Sequence, residues 1–145
     1  MLKKGFLIWG CVVIFLFSLI GIMAYYEKKN SQATLTQEAI DALNINDYKN
    51  AYSFIDKMKS QDYYNSNKQE IDQLNLRIVK NEIAEIMDEE EGNRAAGKII
   101  FVLDERVPEN DRADMINTAI KMANTIGDTI LQKQLEDYRR TYFGR

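Results

Sequence analysis

Carboxylates are the only chemistry-bearing side chains that recur in this sequence at a useful spacing. Glu82, Glu85 and Glu89 follow one another at three and four residues, which stacks side chains on one face of a helix. Asp88-Glu89-Glu90-Glu91 is the densest charge run in the chain. Facing carboxylates can hold a metal ion or move protons, but the usual companions for either task are missing. The 145 residues contain no histidine, which removes the commonest general base and the commonest metal ligand together. Ser–His and Cys–His nucleophilic sites are therefore excluded. The single cysteine, Cys11, lies in an apolar segment, so the rest of the chain has no disulfide and no thiolate metal site. The acidic run also lacks the alternating oxygen ligands and central turn glycine of a calcium loop, although Gly92 follows it. A solvated helix face is the plainer reading of both clusters. Acids at a helix C-terminus oppose the helix dipole, however, and that mismatch points to a basic partner. No cofactor, no metal and no enzymatic activity are expected.

Charge narrows the partners further. Residues 31–145 hold 15 basic against 21 acidic side chains, a net of −6. Nucleic-acid binding needs a basic face that releases counterions, and none is visible, so a nucleic-acid partner is excluded.

The N-terminal segment is uncharged from Gly5 to Tyr26, and as a helix it would be about 33 Å long, against a bilayer core of roughly 30 Å. Lys3 and Lys4 precede it, and Trp9, Tyr25 and Tyr26 sit near its ends, where amphipathic rings favour the headgroup level. The run is longer than the apolar region of a cleaved signal peptide, about 7–15 residues. Cys11 lies too early in it to be a lipidated cysteine. The expectation is a single-pass membrane anchor over 1–29 with a short N-terminal tail. Positive-inside counting favours the tail on the cytoplasmic side and the remaining domain, 30–145, outside the cytoplasm.

The elements that must position the carboxylates read as helices throughout. Apolar residues recur at three and four: Ile71, Leu74, Ile78, Ile83, Ile86 and Met87, then Ile99, Ile100, Val102 and Leu103, then Met115, Ile116, Ala119, Ile120, Met122 and Ala123. Helix-start chemistry falls between the stripes: Asn46 or Asp47 before Tyr48, Ser66 with Gln69 at capping-box spacing, Gly92-Asn93, Pro108, and Gly127-Asp128. The fold class is all-α, with six helices in three antiparallel pairs after the anchor.

The pairs look like copies of one unit. Ala39, Ala84 and Ala119 align, as do Ala51, Ala96 and Leu131, then Ile55, Ile100 and Leu135, then Met58, Leu103 and Tyr138. A repeat of two helices marks a solenoid. On these residues the chain resembles the tetratricopeptide repeats, best in the middle unit, where Ile83-Ala84, Met87, Ala96, Ile100, Leu103 and the terminal Pro108 fall on the family's positions. It departs from the pattern at Glu38 and Thr118, usually large and apolar, and at Leu131, usually small.

The resemblance implies a small solenoid of about three helix pairs that acts as an adaptor, binding a partner protein or peptide of the same membrane. It places ligand-facing positions on the first helix of each unit: Thr36 and Asn44, then Asn81, Glu85 and Asp88, then Ile120 and Asn124. The basic, aromatic C-terminal end, with Tyr138, Arg139 and Tyr142, is a second expected docking surface. The alternative is a structural or assembly subunit of a membrane complex, packed permanently and without a peptide groove.

Overall fold

The computed structural model describes the backbone of residues 2–144 and the side chains of residues 16–144. Among the described residues there are six helices and no strand. They are α1 (Leu2–Asn44), α2 (Tyr48–Lys59), α3 (Tyr64–Glu89), α4 (Gly92–Arg106), α5 (Glu109–Ile126) and α6 (Thr129–Phe143). The all-α expectation holds: α1 packs on α2, α3 on α4 and α5 on α6, while α2 packs on α3 and α4 on α6 at least as extensively as α3 on α4.

The expected transmembrane helix is corrected. No helix among the described residues is long and apolar enough to cross a membrane. α1 runs without a break from the apolar N-terminal residues through Glu27, Lys28 and Lys29 into the domain. The single-pass membrane localisation, and the placement of the domain outside the cytoplasm that went with it, fall with this finding. The side chains of Lys3, Lys4 and Trp9 lie outside the described residues. Tyr25 and Tyr26 are exposed and pair edge to face, with ring centroids 6.0 Å apart. Helix α1 is continuous across residues 29 and 30 and carries Ala39, Ala42 and Leu43 into the core.

Turn chemistry fixes the breaks. Asp47 caps α2, its carboxylate accepting from the Asn50 N–H at 3.2 Å, and Asn46 before it takes the left-handed φ of 57° that a short polar side chain tolerates. Gly127 closes α5 with φ 79°, and Asp128 starts α6 by accepting from the Leu131 N–H at 2.9 Å. The same Asp128 reaches back across the molecule, its other oxygen accepting the Gly92 N–H at 2.7 Å, so one carboxylate joins the α3–α4 turn to the α5–α6 turn.

The capping box expected at Ser66 is not used. Residue Asn67 has non-helical φ −124° and ψ 17°, and its side chain donates to the Tyr63 carbonyl at 3.1 Å, so α3 bends there. The polar asparagine offers the backbone a local bond and moves the start of the straight helix one residue on.

Most of the aligned repeat positions are buried, while Ala84, Ile100 and Tyr138 of the same alignment are only half-buried. Ala51, Ala96 and Leu131 are buried, as are Ile55 and Leu135, Met58 and Leu103, and Ala39 and Ala119. Alanine at Ala51 and Ala96 lets the helix backbones approach. Among the described residues Asn75, 2% exposed, is the one buried polar side chain of the core, and it donates to the Arg106 carbonyl at 2.7 Å. Arg112 donates to the carbonyls of Asp104 and Val107, each at 3.2 Å, so the C-terminal end of α4 is satisfied from two sides.

Candidate partner-binding groove

Helix α3 turns Glu82, Glu85 and Glu89 into a groove of about 460 Å³ between α2 and α4. The three share a face because their spacing of three and four follows the helix repeat. Tyr48 closes the groove from α2, and Gly97, Lys98 and Phe101 close it from α4. Ile86 and Val102, both buried, line it beneath.

Each wall has a local cause. Ile99, Val102 and Leu103 face the core, which turns Phe101 outward with 65% of its surface exposed. Gly97 lies inside α4, where glycine is unfavourable relative to alanine. A methyl group added there would meet nothing within 4 Å, so packing within this chain does not require the glycine.

The electrostatics of the groove are unbalanced. Tyr52 donates to Glu82 at 2.5 Å, and the Arg106 guanidinium lies 4.4 Å over the Tyr52 ring while pairing with Asp56 at 3.4 Å. Burial pushes the Glu82 carboxyl up from the usual range; Tyr52 and Arg106 oppose that shift and Glu85 adds to it. Burial, then a side-chain hydrogen bond to Glu85 and the charges of Glu85, Glu82 and Glu89, hold the Tyr48 phenol above its ordinary range. Glu85 Oε2 is enclosed and has no hydrogen-bond partner in the protein. The one lysine of the groove is drawn away: Lys98 Nζ bonds Glu90 at 2.6 Å, and Arg94 joins the same carboxylate at 3.2 Å. Those cations hold the Glu90 carboxyl below its usual range, Lys98 having the larger effect.

The expected binding residues separate into three groups. Glu85 lines the groove. Asn81 and Asp88 are exposed on α3 outside it, each one residue away from a groove glutamate, while Asn44 and Asn124 are exposed at the ends of α1 and α5. Thr36 instead points its hydroxyl at the Met58 sulfur, 3.5 Å away, and Ile120 packs against the core. The C-terminal group is largely occupied within the fold. Tyr138 donates to Asp104 of α4, which with burial lifts its phenol to about 12. Arg139 donates to Asn117 of α5 at 2.8 Å. Only Tyr142 of that trio is both exposed and free to meet another molecule at its face, and it leans on the Tyr138 ring at 4.7 Å.

Tyr48, Gly97 and Phe101 were not among the expected site residues. Phe101 was the visible signal: it is a large aromatic lying off the apolar stripe of Ile99, Ile100, Val102 and Leu103. Among the described residues no group of three histidine, cysteine or acidic side chains is placed to hold a metal ion. The groove has the chemistry to hold an organic cation, through carboxylate oxygens and aromatic faces. Comparison of the chain with family models, with curated proteins and with solved structures returned no match.

Proposed function

We propose that this chain is a helical-repeat adaptor of the tetratricopeptide type, and that the groove between α2, α3 and α4 binds a basic segment of a partner protein. The observation that carries the reading is the excess of acid in the groove: three glutamates line it against a single lysine, Lys98, which bonds Glu90, while Arg106, shared with Asp56, only partly offsets Glu82. A half-buried carboxylate without a counter-ion is costly, and an incoming cation relieves that cost. Phe101 and Gly97 add an apolar anchor point and open space beside it. The burial of the aligned positions Ala51, Ala96 and Leu131 supports the repeat register.

The test is selection of displayed random peptides on the immobilised full chain, with Gly97→Leu as the comparison protein. Leucine at that position fills the groove without touching the core. The expected result is one enriched peptide pattern that the Gly97→Leu protein does not retain. No enrichment, or equal retention by both proteins, contradicts the reading.

A further inference from the structure

We infer that the apolar N-terminal half of α1 pairs with the same segment of a second copy, in a parallel two-stranded coiled coil whose seam runs through Leu16, Leu19, Met23 and Tyr26 to Asn30.

The seam lies in the spacing. Those five residues follow one another at three, four, three and four, the a and d positions of a heptad. A helix keeps such a set on one face, with a slow drift that supercoiling takes up. Every residue from Leu16 to Asn30 is exposed in the single chain, the four apolar seam residues by 40–68% of their surface. Ile20 and Ile22 flank them at e and g and are exposed as well.

The rest of the fold leaves that face open. Followed along α1, the line of every seventh residue from Leu16 reaches Met23, Asn30, Gln37 and Asn44, all exposed. Ala39 and Ala42, which anchor α1 in the core, lie on the opposite side of the helix. Lys28 and Gln32, which meet Asp62 and Glu70, occupy a third side. Two copies can therefore pair along the seam without giving up a contact of their own.

Area, register and charge all favour a second copy as the occupant. The four apolar seam residues with Ile20 and Ile22 offer on the order of 600 Å² per chain, so a pair buries about 1,200 Å², the lower end of a stable interface. Single soluble chains rarely leave a continuous apolar patch of that size in water. A lone asparagine at an a position sets a two-stranded register, because its amide bonds the same amide of the partner helix, and Asn30 stands at such a position. In parallel register Glu27 faces Ile22 of the second copy and Lys29 faces its Thr34, so no like charges meet across the e and g positions. Antiparallel pairing would instead lay Glu27, Lys28 and Lys29 against the apolar half. The groove lies on α2, α3 and α4, so loss of peptide binding and loss of pairing are separate results.

The test uses the full chain with Cys11→Ser, which removes its only cysteine, and one thiol added back, by Asn30→Cys on the seam or by Ser31→Cys beside it. Sedimentation equilibrium in detergent-free buffer should give a dimer. Air oxidation should cross-link the Asn30→Cys protein at least about fivefold faster than the Ser31→Cys protein, since only the seam brings paired Cα atoms within disulfide reach. Met23→Asp should raise the dimer dissociation constant about tenfold or more, and Phe17→Asp, on the outer face, less than about twofold. A monomer at about 100 μM overturns the pairing. Heterogeneous larger assemblies, with both thiols reacting at one rate or both aspartates acting alike, overturn it as well, because the segment then clusters without a seam. Phosphatidylcholine vesicles form the last arm. Persistence of the Asn30→Cys cross-link in their presence supports the pair, whereas its loss as the chain binds the vesicles makes lipid the occupant and overturns it.

Discussion

Two concave regions of this molecule differ in charge balance. One is the groove of Glu82, Glu85 and Glu89. The other is a cleft of about 710 Å³ where the polar middle of α1 passes the α2–α3 connection, lined among others by Lys28, Lys29, Gln32, Asp62, Tyr63 and Glu70. The cleft is the larger, yet its charges are balanced internally. Lys28 lies 3.7 Å from Asp62, and Gln32 donates to Glu70 at 3.4 Å. Its Tyr63 hydroxyl is enclosed without a partner, but a neutral hydroxyl makes a far smaller demand than a carboxylate. In the groove the acids outnumber the cations, and the lysine present bonds elsewhere. On the proposed reading, excess charge rather than size marks the groove out from the cleft.

The fold beneath the groove should dominate stability, and its rim should hardly matter. Ile99 and Phe101 sit two residues apart on α4, one fully buried and one exposed. Ile99→Ala should cost about 2–5 kcal/mol in urea unfolding, and Phe101→Ala should stay within about 0.5 kcal/mol. Comparable losses would mean that Phe101 belongs to the core and that the groove is a packing fault.

Asp128 is the matched counterpart of the groove acids, with each of its oxygens on a backbone N–H. Asp128→Ala removes a cap and the bond to Gly92, for a loss of about 1–2 kcal/mol. The pH dependences of the two kinds of acid should run in opposite directions. Bonds to Gly92 and then Leu131 hold the Asp128 carboxyl below its ordinary value of 3.8, so its contribution is full above that value and is lost as pH falls through the lowered pKa. Burial holds Glu82 above its ordinary 4.5, so the folded state binds that proton more tightly. Stability therefore falls as pH rises from the ordinary value through the raised one, and Glu82→Gln should remove that fall. Unfolding midpoints across acid pH, compared for the unaltered protein and both variants, check the two signs.

Gly97→Ala gives a small gain in stability and the sharpest division between fold and function. Alanine meets nothing there, so it should stabilise α4 by about 0.5–1 kcal/mol while weakening binding of the selected peptide. A gain in stability with unchanged binding would remove the close approach over α4.

Much of the fold was legible because it follows from local rules. Asp47 and Gly127-Asp128 mark helix ends by their own chemistry, and the period of three and four gave the buried faces of α3, α4 and α5. The aligned Ala51, Ala96 and Leu131 located the crossings, since a position pressed between helices must suit the gap. Less local features were not legible. The bend at Asn67 depends on a bond to the Tyr63 carbonyl that competes with the Ser66 cap. The uncharged run before Tyr26 suggested a membrane span, but no helix among the described residues is long and apolar enough to cross a membrane. In the site, Glu85 was named, but Asn81 and Asp88 were chosen with it where the groove takes Glu82 and Glu89. A shift of one residue turns a helix face by about 100°, and only the packing of α2 and α4 against α3 decides which acids are left facing open space.

The most direct measurement is the affinity of the selected peptide for the unaltered protein and for Glu85→Lys at low and high salt, with unfolding curves of both. Reversal of one charge on a half-exposed side chain should leave the fold intact, lower affinity by about tenfold or more at low salt, and reduce the dependence of binding on salt. Equal affinities in two folded proteins would contradict the account, remove the groove from the binding surface, and leave the exposed Tyr142 end of α6 as the place to look.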